Sequence, residues 1–335
     1  MFICVNLRLI FLQIGVYMKR HLISYISILT LVFLASTSAS AQLRIPRPSQ
    51  SASVMQTIGV TDVTITYSRP AVKGRTIFAD APTTMAARAK GEGTLDNQNE
   101  RLKGEPIVPY GHVWRTGANE ATQFVVTDDV LINGQPLAAG SYSLHTIPGK
   151  DEWTIVFNGT DNQWGSFSYD AAKDTLRVKA KAQWMTDSQE TMAFSFDSVN
   201  DNSAMVNIRW EKLRVPFTVE VKDVAATTLT HARIAVAAAK PEDWRTPYNA
   251  GQYAMANKDS DEAMLWFASS LKILDASIAN KETFQNLAGK TSVLLAAGRK
   301  ADALAVADKA IARGKADKVD TAAFEKRIAD IKAGR

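Results

Sequence analysis

The sequence predicts a mainly β protein with a helical end, an antiparallel β-sandwich-like domain followed by a small helical domain. Three observations carry this. Apolar residues alternate with period two from Thr61 to Val221, and turn residues punctuate the alternation at short intervals. After Asp223 the apolar period becomes helical. Short strands without helical stretches between them favour a sandwich or barrel over a parallel α/β sheet.

The first element is a leader. Lys19 and Arg20 precede the uncharged apolar stretch Leu22 to Ala35, and Ala39-Ser40-Ala41 reads as a small-x-small cleavage site before Gln42. The run falls short of the about 20 residues that cross a bilayer, although a retained anchor is the competing reading. Residues 1–17 read as an upstream extension, with Met18 as the alternative start. An exported protein is expected, periplasmic or secreted, with no membrane span after cleavage.

Composition narrows the function classes. The 335 residues are 46% hydrophobic and 22% charged, which suits two globular domains and not a disordered chain. Cleavage removes Arg8, Lys19 and Arg20 and lowers the formal charge from +5 to +2. The basic pI of about 9.1 therefore gives no support for nucleic-acid binding, which needs positive charge clustered on one face. The single cysteine, Cys4, also precedes the cleavage site, so disulfides, a thiol nucleophile and thiolate metal ligands are excluded from the mature chain.

The β region, expected over 42–223, follows in order. Val63, Ile65 and Tyr67 share one face of a strand, as do Trp153, Ile155 and Phe157, and Met192, Phe194 and Phe196. Tyr142 and Leu144 alternate with Ser141, Ser143 and His145, and Val215, Phe217, Val219 and Val221 close the series. Asn133-Gly134 predicts a tight hairpin, and Pro148-Gly149-Lys150-Asp151 and Asn158-Gly159-Thr160-Asp161 predict turns. Residues 79–106, rich in Ala, Lys, Gly, Glu and Asn, interrupt the pattern and read as a flexible surface insertion with a helical fragment around Met85 to Lys90.

Residues 224–335 are expected to be helical. Thr227 to Ala239 is alanine-rich, and Pro241 ends that helix or opens the next. Tyr248-Asn249-Ala250-Gly251, Ala263, Trp266-Phe267 and Leu271 then resemble a tetratricopeptide repeat. A looser copy runs from Phe284 through Gly298 to Ala310, and Thr321 to Lys332 reads as a capping helix. Two repeats are fewer than the roughly three that stand alone, so the helices are expected to lean on the β domain. They could offer a surface to a protein partner, or be an ordinary pair of helical hairpins.

Two polar and aromatic blocks stand out: Tyr67-Ser68-Arg69-Pro70-Ala71-Val72-Lys73-Gly74-Arg75-Thr76-Ile77-Phe78, and Pro109-Tyr110-Gly111-His112-Val113-Trp114-Arg115-Thr116-Gly117-Ala118-Asn119-Glu120-Ala121-Thr122. With Gly140-Ser141-Tyr142-Ser143-Leu144 and Trp164-Gly165, they resemble the bacterial domain of unknown function DUF2911 over about residues 43–222. The resemblance implies a shared fold and no established reaction. In that family the first block runs almost directly into the second, whereas here residues 79–106 intervene.

The blocks place cations among aromatic rings, a pattern that binds a carboxylate, a phosphate or a sugar. The expected ligand-binding set is Arg69, Lys73, Arg75, Arg115, Asn119 and Glu120, holding a small polar or anionic ligand. An internal Arg115–Glu120 ion pair, with Trp114 as core, is the competing reading. Glu120 and His145 are the candidates for acid/base chemistry, His145 beside Ser141 or Ser143. His112, His145 and Glu120 are the groups that a zinc site would need, but their spacing resembles no metal motif, and no metal or cofactor is expected. Nucleophile-elbow, phosphate-loop and dinucleotide-binding motifs are absent. Trp153, Trp164 and Trp184 could stack on sugars or fill the core. The function expected is a non-catalytic binding module, with a hydrolase-like enzyme or a structural scaffold as alternatives.

Overall fold

The period-two runs become paired strands in the computed structural model, which describes residues 45–88, 93–95 and 102–335. The expected leader, with Cys4, Lys19, Arg20 and Ala39 to Ala41, lies outside the described residues, as does Lys90. In chain order the first strands are β1 (Gln50–Ile58), β2 (Thr61–Arg69), β3 (Phe78–Ala79), β4 (Val108–Pro109), β5 (Thr122–Val126) and β6 (Val130–Ile132). They are followed by β7 (Gln135–Leu137), β8 (Gly140–Ile147), β9 (Glu152–Asn158), β10 (Asp174–Lys181), β11 (Gln183–Asp197) and β12 (Ser203–Glu220). A six-stranded sheet has the order β1-β2-β5-β8-β9-β10, and a four-stranded sheet the order β11-β12-β6-β7. Their strand pairs are antiparallel.

The inner faces of the two sheets make one core. Val63, Ile65, Phe124, Leu144, Ile155 and Phe157 come from the larger sheet, and Phe194, Val206, Ile208, Trp210, Val215 and Phe217 from the smaller. Each fully buried large apolar side chain contributes about 1.5–3 kcal/mol, so this layer dominates the stability. The hairpin at Asn133-Gly134 forms with both residues at positive φ, 46° and 79°, as a type I′ turn requires.

Two local readings change. Asn158-Gly159 does not turn a hairpin: residues 159–173 intervene before β10, and they end in a short 3₁₀ turn, Ala171–Lys173. The Asn158 amide, fully buried, donates to Asp170 O and Asp174 Oδ1. Strand β8 is buried on both faces from Tyr142 to Ile147, because the 159–173 loop covers the side that carries Ser143 and His145.

Between β3 and β4 the described part of the interrupting segment is anchored. Helix α1 (Thr83–Ala86) is shorter than the helical fragment expected, and Met85 and Leu95 are buried. Phe78 pairs in parallel with Val108, and Ala79 with Pro109, so the excursion leaves and returns at neighbouring positions.

The C-terminal helices are α2 (Val224–Ala238), α3 (Arg245–Ala256), α4 (Ser260–Asn280), α5 (Phe284–Ala296), α6 (Lys300–Ala316) and α7 (Ala322–Lys332). Asp223 and Asp259 cap α2 and α4 through their side chains, and Thr283 with Asn286 forms a capping box on α5. Gly251 meets the Phe267 ring so closely that a Cβ there would lie 2.6 Å from Cε1, while Ala254 and Ala263 are fully buried beside it. A small residue packed under an aromatic is the feature on which the tetratricopeptide resemblance rested. Pro48–Arg335 forms one compact unit. The helices lean on the β region through Val224, packed on Gly59, and through His231, bonded to Asp128. No helix among the described residues is long and apolar enough to cross a membrane.

Candidate functional site

The loop from Trp114 to Thr122 is held from both ends. Trp114 N and O pair with Thr146 O and N of β8, and its ring stacks on Trp210 at 5.9 Å and meets Trp153 edge-on at 6.2 Å. Phe78 completes the aromatic cluster against Trp153 and Trp210. Trp114 and Trp153 are therefore core residues, whereas Trp164 and Trp184 are about half exposed.

Thr116 follows at φ 54°, a left-handed conformation that is strained for a β-branched residue. Three bonds hold it there. Its Oγ1 donates to Trp114 O and meets Thr146 Oγ1, and its carbonyl accepts from Thr122 Oγ1 at 2.6 Å. Gly117 fits closely, since a Cβ there would lie 3.0 Å from Ser68 O. Asn119 is also left-handed, at φ 58°, and its amide donates to Ser49 O and Ser68 Oγ. These bonds hold the strained backbone in a single conformation.

These constraints aim Arg115. Its Nη1 donates to Asn119 O at 2.6 Å, and Gly165 N donates to the same carbonyl. The guanidinium lies flat on Gly165, where a Cβ would be 2.8 Å from Cζ, and Cζ is 5.6 Å from the Phe167 ring centroid. Arg115 also lines a cavity of about 760 Å³, floored by Trp114 and bordered by Arg75, Lys103, Glu105 and Asn119. Among the described residues, three cations and one carboxylate line it. The carboxylate is matched elsewhere, since both oxygens of Glu105 accept from Arg88 at 2.8–2.9 Å.

Of the six residues expected to bind a ligand, Arg75, Arg115 and Asn119 line this cavity, and Arg69, Lys73 and Glu120 are not among its lining residues. Arg69 Nε donates to Met192 O, and Lys73 N to Glu190 Oε1, which ties the first block to β11. The Glu120 backbone forms an isolated β-bridge with Trp164, and Ala121 N donates to Gln163 O. Lys103, Glu105 and Ser49 join the lining without having been singled out. Only the register of the excursion between β3 and β4 could have pointed to Lys103.

His145 does lie beside Ser143, with Nδ1 3.3 Å from Oγ. Both are essentially without solvent exposure, and Gln163 Nε2 donates to Ser143 Oγ at 2.9 Å. Tyr169, its ring tilted by 51° against His145 at a centroid distance of 5.0 Å, closes the site. Burial raises the Tyr169 phenol well above its ordinary range, as does its 2.7 Å hydrogen bond to Asp174, so it stays protonated. His112 Nδ1 lies 3.1 Å from Gly93 O. Among the described residues no three His, Cys, Asp or Glu side chains are grouped to hold a metal.

The profile of a family described as "Protein of unknown function (DUF2911)" matches residues 49–219. No curated protein and no solved structure matches the chain.

Proposed function

The chain belongs to the DUF2911 family, whose description assigns no activity, and we propose that it acts as a non-catalytic module that binds a small anionic ligand in the Trp114-floored cavity. One observation carries this reading. Arg115 is held by the Asn119 carbonyl, the Gly165 backbone and the Phe167 ring, and it lines a cavity whose one lining carboxylate among the described residues is matched by Arg88. A fixed guanidinium loses little freedom when it takes up a carboxylate or phosphate, which favours binding.

One acid/base candidate, His145, argues for binding over hydrolysis. His145 and Ser143 lie under the 159–173 loop, away from solvent. Export to the periplasm or beyond, and a role for the helices as a protein-docking surface, belong to the same proposal. They are supported by the leader-like N-terminus and by the repeat-like packing of Gly251 on Phe267.

The test is a thermal-shift screen of the full chain with organic acids, inorganic phosphate and phosphosugars, run beside Arg115→Ala. A ligand at about a hundredfold excess over its Kd adds about 2.7 kcal/mol, a readily seen shift. A shift that Arg115→Ala abolishes while the variant stays folded is the expected result. Stabilisation by an anion that is equal in both proteins would place binding elsewhere and defeat the proposal.

A further inference from the structure

The cations of the cavity are not equivalent. Arg115 is half-buried at the floor, whereas Arg75 and Lys103 are exposed at the mouth. Arg75 is engaged in shaping its own loop, with Nε bonded to Val72 O and Nη2 to Ala71 O.

Lys103 is presented differently. Glu105 N donates to Leu102 O at 3.1 Å, which closes a four-residue turn with Lys103 at its corner. Gly104 follows at φ 93°, the conformation that a type II turn needs at that place. The turn is clamped twice: Leu102 N donates to Glu105 Oε2, and Arg88 holds both oxygens of the same carboxylate. The Glu105 side chain is 6% exposed, so the clamp is shielded from screening. Lys103 itself forms no ion pair among the described residues. The acid beside it is matched by Arg88, and Lys103 lines the cavity with no described carboxylate paired to it.

We propose that the cavity selects organic dianions, Arg115 taking one anionic group at the floor and Lys103 taking the second at the mouth. This rests on the anion-binding reading above and deepens it. The specificity element is then the clamped turn at 102–105, carried on the excursion between β3 and β4. A volume of about 760 Å³ admits a small molecule that carries two such groups.

The probes are propanoate and succinate, which share a carboxylate head and differ in the second charge. Calorimetric titration of the full chain is expected to give succinate a Kd about tenfold below that of propanoate, the gain from one added charge-assisted contact. In Lys103→Ala that difference should vanish, the two Kd values becoming equal within about twofold. Lys103→Gln, which keeps the stem, should behave the same way. Equal affinity for both probes in the native protein, removed by Arg115→Ala, would overturn dianion selection and leave the anion site standing. Failure of both probes and of the wider anion panel would overturn the site itself. A succinate preference that survives both Lys103 variants would overturn the assignment of the second group to Lys103.

Discussion

His231 Nε2 lies 2.6 Å from Asp128 Oδ1, the one side-chain hydrogen bond recorded between the C-terminal helices and the β sandwich among the described residues. The other carboxylate oxygen accepts from Thr61 Oγ1, itself fully buried, at 2.9 Å and from Thr127 Oγ1 at 3.0 Å. A carboxylate at the β5–β6 turn thus ties α2 to β2 and to the turn itself.

Acid weakens this tie. Burial alone would raise the Asp128 carboxyl, but the hydrogen bonds from His231, Thr61 and Thr127 outweigh it and hold it below the ordinary aspartate range. A carboxyl lowered by folding stabilises the fold above its unfolded pKa, and that stability is lost as pH falls through the folded value. Asp128→Asn should cost about 2 kcal/mol at neutral pH and flatten the acid limb of the stability curve, as read by urea unfolding across pH 2–7. An acid limb unchanged in the variant would refute the assignment.

Gly165→Ala tests the seat of Arg115. The residue sits at φ 64°, and the added methyl would lie 2.8 Å from the guanidinium carbon. A loss of about 1–2 kcal/mol is expected from the backbone alone. Displacement of Arg115 should also remove the anion-induced thermal shift. A variant that is destabilised yet keeps its full ligand response would show that the seat is structural only.

Gly251→Ala probes the helices separately. Its methyl would lie 2.6 Å from the Phe267 ring, inside a close helix crossing. Overpacking costs about 1–3 kcal/mol. The helical signal should melt earlier by circular dichroism, while the anion response of the cavity at the native temperature stays intact.

Ser143 should resist fluorophosphonate labelling in the folded protein and after Tyr169→Phe alike, because Gln163 and the buried loop cover it. Labelling that His145→Ala abolishes would instead revive the hydrolase reading. Mass spectrometry of the intact chain decides between them.

The sandwich was legible because its strands carry their inward residues on alternate positions, as in Val63, Ile65 and Tyr67 of β2. Strand β8 defeated that logic, since a covering loop buries its polar face, and covering is a tertiary fact that no local period encodes. Within the site, Arg115 and Asn119 were visible through the dense motif around them. Lys103 was not, because a lysine before a glycine in a polar stretch resembles any solvated turn until the Arg88–Glu105 clamp is seen. Glu120 is not among the residues that line the cavity, and adjacency to Asn119 in the chain could not show that, since its backbone pairs with Trp164.

The parallel pairing of Phe78 with Val108 has a consequence for how the protein can vary. Neighbouring strands lie about 4.8 Å apart, so the two ends of the intervening segment are fixed almost as closely as the ends of a tight turn. Once a gap is pinned at that width, doubling the length of chain that spans it adds only about 0.6 kcal/mol of closure entropy. Nothing in the sandwich must re-register to receive it. The junction is a port at which segments of very different length can be exchanged, and each exchange re-cuts one wall of the cavity while Trp114 and Arg115 keep their places.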